Sequence, residues 1–324
     1  MNPSAKKYLG LLVKIVIILL AFGFIFYKLN DNRNLENFVQ LIRSVPRDMV
    51  YGTLFLVFGL MLLNWFLESL KWKYLVYRVE QVSVWKAVES VFCGLTWAVF
   101  TPNRIGEYGG RVFFLSPRRR ILGVIAMGVG AIAQMVITNI FGSVALLWFI
   151  WRYLQLGFWV NYALLVLVVF FCAFFILLYF NIQVIYKVIS RIGFMRNFKK
   201  FFQVLARYKA RELWKVFLYS LGRFVVFTSQ YYILIHLLLP GLPLFEVCMM
   251  TFILFFIQSA MPSLDLLDVG VRSMTATYFF SFITTQEVAI MAVTACIWFV
   301  NLIIPAILGA GFVLKLNFFG TTNS

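Results

Sequence analysis

The stretch Thr101-Pro102-Asn103-Arg104-Ile105-Gly106-Glu107-Tyr108-Gly109-Gly110-Arg111 sets three charges, three glycines and a proline between two strongly apolar segments. A second stretch, Met261-Pro262-Ser263-Leu264-Asp265-Leu266-Leu267-Asp268-Val269-Gly270-Val271-Arg272, repeats its grammar. Pro102 lies five residues before Glu107, and Pro262 lies six before Asp268. After each acid the spacing is the same, Glu107-x-Gly109-x-Arg111 and Asp268-x-Gly270-x-Arg272. The recurrence predicts two halves of one site inside a membrane. The competing explanation is a coincidence of two short Pro/Gly-rich turns.

Composition supplies the membrane. Of 324 residues, 63% are hydrophobic and 13% charged, against roughly 45–50% and about 25% in soluble domains. No water-soluble core absorbs that excess. The apolar runs span 17–30 residues without period-two alternation, which predicts helices rather than barrel strands. The net charge of +17 is concentrated at the ends of apolar runs. That is the positive-inside pattern facing anionic lipid, and it argues against a nucleic-acid partner. Cys93, Cys172, Cys248 and Cys296 stand singly within apolar segments, as structural thiols do. His236 is the sole histidine and lies near a span end. With no nucleotide-binding glycine loop, metal-ligand cluster or nucleophile elbow in the sequence, no cofactor, metal or catalytic residue is expected.

Taken in order, the chain reads as a first span at 8–29, a polar connection at 30–47, and a second span at 48–70 closed by Lys71, Lys73 and Arg78. Residues 84–100 are too short to cross comfortably before Pro102. Pro117-Arg118-Arg119-Arg120 then returns the chain to a basic surface. A basic flank on both sides predicts a re-entrant hairpin over 84–117. Long spans follow at 121–150 and 157–180. The segment 181–215 carries nine bases against Glu212 alone, which assigns it to the cytoplasm. Span 214–237 carries Arg223. A second hairpin, 246–283, has no basic flank, and a last span covers 288–316.

With both termini cytoplasmic, the first hairpin opens from the cytoplasm and the second from outside. The predicted fold is an all-α polytopic membrane protein of two inverted repeats, 1–155 and 156–324. Each has three spans plus a re-entrant hairpin, giving six spans and two hairpins; eight full crossings is the alternative. Broken elements at corresponding positions of two inverted halves point to a transporter's binding site.

Non-helical backbone at membrane depth survives only where protein or a water-filled cavity covers it. A charge there costs ~2.5–3.5 kcal/mol on insertion scales, so each needs a partner. Glu107, Arg111, Arg223, Asp268 and Arg272 are therefore expected to form a buried charge network, with Arg104 beside it. Gly106, Gly109, Gly110 and Gly270 would let the backbone bend and let a chain or ligand come close. Three readings follow: a polar cavity for a lipid headgroup, with arginines for phosphate and carboxylates for a cation or proton; a structural salt-bridge clasp; or partial exposure of Arg104 and Arg111 near headgroups. Asn64, Glu68, Gln134, Asn139, Gln230, Gln258 and Asn301 are weaker signals, because interhelical hydrogen bonding is their commoner use.

The string from Pro102 to Arg111 resembles the signature of the lysylphosphatidylglycerol synthase transmembrane-region family, often called flippase-like. The resemblance extends over nearly the whole chain. The second motif departs from the family's common pattern, in which a Pro and paired glycines precede Gly-x-x-Glu. The resemblance implies translocation of a phospholipid or polyprenyl-linked lipid between leaflets of a cell membrane, with anionic or phosphate-bearing lipids as partners. Fused members carry a soluble domain that makes the aminoacylated lipid. Only nine residues follow Lys315 here, so the expectation is a chain that is not itself a lysyltransferase. Two rivals stand beside the translocase. One is a non-catalytic partner of an envelope-synthesis enzyme, docked through 181–215. The other is a membrane-embedded transferase with Glu107 or Asp268 as general base.

Overall fold

The computed structural model describes residues 32–99, 101, 104–184, 203, 208–261 and 268–313, without the side chains of 32–35, 37 and 268. The first span at 8–29, Pro102, Pro262 and most of the basic segment 181–215 lie outside the described residues. Within them every element is helical: α1 (Asn32–Ser44), α2 (Arg47–Val76), α3 (Val84–Val99), α4 (Ile105–Val112), α5 (Pro117–Leu154), α6 (Phe158–Phe180), α7 (Ala210–Leu238), α8 (Leu244–Ala260), α9 (Asp268–Phe280) and α10 (Glu287–Val313). Five of the described helices, α2, α5, α6, α7 and α10, are long and apolar enough to cross a membrane. The protein is a helical membrane protein.

Local chemistry sets the helix ends. Pro46 and Pro243 stand at the N-caps of α2 and α8, and Pro117 opens the tight first turn of α5. At these positions the missing N–H is lost at no cost and φ is already near its helical value. The Ser83 hydroxyl accepts from the Lys86 amide and caps α3 at 3.2 Å. Pro305, inside α10, withholds one donor and crowds the carbonyl four residues earlier. The helix widens into a π turn at Phe299–Ile303 just before it.

Two boundaries differ from expectation. Residues 30–47, expected as a connection, contain the amphipathic helix α1, whose Phe38, Leu41 and Ile42 recur at helical spacing. The second span runs on to Val76, so Lys71 is not a flanking charge but a residue 3% exposed. Glutamate and serine partners inside the bundle, described below, hold it there.

The core is an antiparallel pair, α2 against α7. Gln230 Nε2 donates to the Val57 carbonyl at 2.9 Å, Arg223 Nε to Asn64 Oδ1 at 2.8 Å, and Arg78 pairs with Glu212 at 2.6 Å. Met61, Trp72, Leu75, Leu213 and Ile235 are fully buried along the seam. At the basic end the Tyr208 hydroxyl donates to the Leu75 carbonyl at 2.8 Å. Glu80 accepts from the Ser116 hydroxyl at 2.6 Å and amide at 3.0 Å. Burial opposes the Glu80 charge, but those two bonds hold its pKa below the ordinary carboxylate value.

Around this pair the short helices cross over. The α3 helix lies antiparallel on α10, with Trp85 against Phe312 at 6.1 Å and Thr96 Oγ1 donating to the Ala306 carbonyl at 2.8 Å. The α8 helix lies antiparallel on α5, with Phe252 against Phe141 at 5.4 Å and Phe245 against Trp148 at 5.4 Å. Each contact closes on a glycine. A Cβ on Gly309 of α10 would collide with the Phe92 carbonyl of α3, and one on Gly142 of α5 with the Phe256 ring of α8. Small residues allow this approach, and in lipid such packing replaces the hydrophobic drive between helices.

Gly309→Ala should therefore lower the melting temperature of the purified protein in detergent, by an amount matching about 1–3 kcal/mol of overpacking. Gly128→Ala, where a Cβ meets nothing within 4 Å, should be neutral or stabilising by up to ~1 kcal/mol of helix propensity. Equal effects at the two sites would remove the close approach as the reason for Gly309.

Candidate functional site

The first motif folds as a short helix laid on α3. Thr101 bridges the break, accepting from the Gly106 amide at 2.7 Å and donating to the Trp97 carbonyl at 3.0 Å. Arg104 starts α4 in the left-handed region at φ 57°, a conformation few non-glycine residues adopt. The glycines do not bend the chain. Gly106 and Gly110 share the face of α4 that meets α3, where a Cβ on Gly110 would stand 2.6 Å from the Gly94 Cα, and one on Gly106 would strike the Trp97 carbonyl. A Cβ on Gly109 would meet nothing within 4 Å. Gly270 is buried in α9.

That close seat drives Arg111 into the bundle, 2% exposed. Its Nη1 donates to Glu68 Oε1 of α2 at 2.6 Å, and its Nη2 to Glu107 one turn earlier. Glu107 also pairs with Arg104 Nε at 2.9 Å. The second oxygen of Glu68 takes Lys71 Nζ at 2.7 Å and Nη1 of Arg223 from α7. Lys71 reaches on to the Ser220 hydroxyl at 3.4 Å. Trp65 lies under two of the cations, with its ring 5.1 Å from the Arg223 guanidinium carbon and 6.0 Å from that of Arg104. Four cations thus meet two carboxylates, an excess of two positive charges among these residues.

The cluster forms the wall of a cavity of about 420 Å³, bounded also by Trp72, Tyr108 and Gln134. A second chamber of about 260 Å³ adjoins it, bounded by Asn64, Phe227, Gln258 and Arg272. Gln134, Thr138, Arg223 and Ser259 belong to both walls. The order along each helix is consistent. On α2 the first chamber uses Trp65–Leu75 and the second Asn64; on α7 the first uses Arg223 and the second continues to Phe224 and Phe227. The chambers are therefore stacked along the spans, the first toward the basic end. Arg223, near the middle of the 29-residue α7, stands at their junction.

Of the expected network, Arg104, Glu107, Arg111 and Arg223 meet in one cluster. Arg272 lies in the adjoining chamber, donating to Gln258 Oε1 at 3.0 Å. The side chain of Asp268 is outside the described residues. The residue that sequence reasoning undervalued is Glu68, with Lys71 as its companion. A signal existed: Asn64, Glu68 and Lys71 succeed one another at spacings of four and three, a polar stripe on one face of an otherwise apolar helix.

A family model described as the lysylphosphatidylglycerol synthase TM region matches residues 11–309. The chain belongs to that family. No curated protein and no solved structure matches it. In this family member the matched region includes both motifs, both chambers and all the described cluster residues. Among the described residues no group of three or more His, Cys, Asp or Glu is arranged to hold a metal ion.

Removing one partner of a buried ion pair costs about 3–5 kcal/mol, because the charge left behind is uncompensated. Glu68→Gln removes the charge that Lys71, Arg111 and Arg223 share and leaves Glu107 as the remaining carboxylate of the cluster. A collapse of the melting transition, or failure to recover folded protein, is expected. Glu80→Gln, at a partly exposed clamp, should cost about 1 kcal/mol or less. A Glu68→Gln protein that melts with the wild type would refute the central role of Glu68.

Proposed function

We propose that this protein is a lipid translocase, moving a phospholipid or polyprenyl-linked lipid between the leaflets of a cell membrane rather than catalysing a reaction. The observation that carries the reading is the pair of stacked polar chambers, joined at Arg223 near mid-span and lined, among the described residues, by more cations than carboxylates. A purely structural clasp has no use for a cavity, and a fully neutralised one needs no excess cation. A headgroup needs both: donors for its oxygens and a polar route along the membrane normal.

Two inverted repeats, 1–155 and 156–324, give that route its two ends. Their support is the reciprocal packing of the short helices. The first arm of each motif pair lies antiparallel on the last span of the other half, and each closes on a glycine. Equivalent helices of inverted halves run antiparallel, as α2 and α7 do. The α3 and α4 helices have 16 and 8 residues, and α8 and α9 have 17 and 13. At 1.5 Å per residue, even the longest reaches roughly 26 Å, short of a hydrocarbon core of about 30 Å. The hairpins 84–117 and 246–283 therefore enter and leave by one face each, from opposite sides. With the basic segment 181–215 in the cytoplasm, both termini are cytoplasmic.

Acyl tails would remain in the bilayer beside Ala131 and Met135, which line the first chamber and are exposed on α5. Arg111 and Arg104 would receive the headgroup at one end, Arg272 at the other, with Arg223 between.

Transbilayer movement of labelled lipids in proteoliposomes tests this. Arg104→Gln and Arg272→Gln, at opposite ends of the route, should each slow movement about tenfold or more. That is the factor expected for losing one charge-assisted hydrogen bond. Movement by the wild type that neither substitution slows would reject the route, and no movement of any lipid by folded protein would reject the translocase.

A further inference from the structure

The polar atoms in the chamber walls are not balanced between donors and acceptors. Both described carboxylates are already engaged, Glu68 by Lys71, Arg111 and Arg223, and Glu107 by Arg104 and Arg111. Among the described residues that line the chambers, the buried polar atoms without a protein partner are mainly N–H groups: Trp65 Nε1 and Arg111 Nε on residues of the first wall, Asn64 Nδ2 and Gln258 Nε2 on residues of the second. The amide orientations are set by their other ends. Asn64 Oδ1 accepts from Arg223, and Gln258 Oε1 accepts from Arg272, so the nitrogens are the free atoms. Gln134 Oε1 is the one unpartnered acceptor in the walls among the described residues.

Buried donors without partners are costly, and a ligand that supplies acceptors relieves that cost. A phosphate oxyanion supplies acceptors and countercharge together. An ammonium supplies only donors and one more positive charge, to a cluster whose described residues already carry an excess of two. In a low-dielectric interior that repulsion is strong.

We infer that the chambers take an anionic, phosphate-bearing headgroup and reject one that carries an ammonium, such as an ethanolamine or a lysyl ester. The inference rests on the chambers being the headgroup site of the proposed translocase. Its consequence is that this family member handles a lipid of opposite charge to the lysyl lipid in the family's description.

Binding separates this inference from movement. The probes are phosphatidylglycerol, phosphatidylethanolamine and lysylphosphatidylglycerol, added in equal mole fraction to the full chain in detergent, with thermal unfolding as the readout. Inorganic phosphate and glycerol 1-phosphate form the soluble arm. Phosphatidylglycerol should raise the melting temperature, while the two ammonium-bearing lipids bind at least tenfold more weakly. Trp65→Phe keeps an aromatic face under the arginines and removes the indole N–H, so it should weaken phosphatidylglycerol about tenfold.

A lysyl or ethanolamine lipid that binds as tightly as phosphatidylglycerol overturns the inference. So does a phosphatidylglycerol effect that is unchanged in both Trp65→Phe and Arg104→Gln, or no stabilisation by any lipid. Stabilisation by soluble phosphate at the level of phosphatidylglycerol keeps the oxyanion chemistry and assigns the site to a free anion. The preference without transbilayer movement upholds the inference and removes the translocase; movement of all three lipids alike does the reverse.

Discussion

One carboxylate organises this membrane interior. Glu68 lies within an apolar span and accepts cations from its own helix, from the first motif and from the second half of the chain. Each arginine or lysine is expensive at that depth, and Lys71 and Arg111 have no exposed way out. The cost is offset because the charges converge: two oxygens serve three cations, and Glu107 serves the fourth and shares Arg111. Position then follows from electrostatics. The α4 helix is held at the depth where Arg111 reaches Glu68, and α7 is held at the register where Arg223 does.

The glycines act on the same constraint from the backbone side. Arg111 reaches α2 because Gly94 and Gly110 let α3 and α4 touch. Larger residues would move the guanidinium outward and strand a charge. The motif glycines are thus packing residues rather than hinges, and Gly109, whose side faces open space, is spared that role.

Much of this was legible in the sequence because the bilayer imposes simple rules. Apolar length marked α5, α6, α7 and α10 to within a few residues. The proline, glycines and charges at 101–111 marked a break that lipid forbids unless it is covered. Arg104, Glu107, Arg111 and Arg223 were identifiable as charges with nowhere else to go. What was not legible is pairing. Glu68 meets Arg111 across 43 residues and Arg223 across 155, and hydropathy carries no information about which charge finds which. Lys71 was misplaced for a related reason: a lysine near the end of an apolar run usually flanks the membrane, and only its neighbours kept it inside. The segment at 30–47 is polar enough to look like a connection, although its apolar residues follow a helical period.

The reciprocal seating of α3 on α10 has a consequence in time. Thr96 and Ala306, whose contact fixes the first short helix, are 210 residues apart. At synthesis rates of about 5–20 residues per second, roughly 10–40 s separate the emergence of the two. Arg111 is made early in that interval, Arg223 only past its midpoint, and the Gly309 seat is absent throughout. In that time α4 can already pack on α3 and Arg111 can already reach Glu68, while α3 still lacks its own seat on α10. The packing of the first short helix is therefore completed only when the last helix arrives.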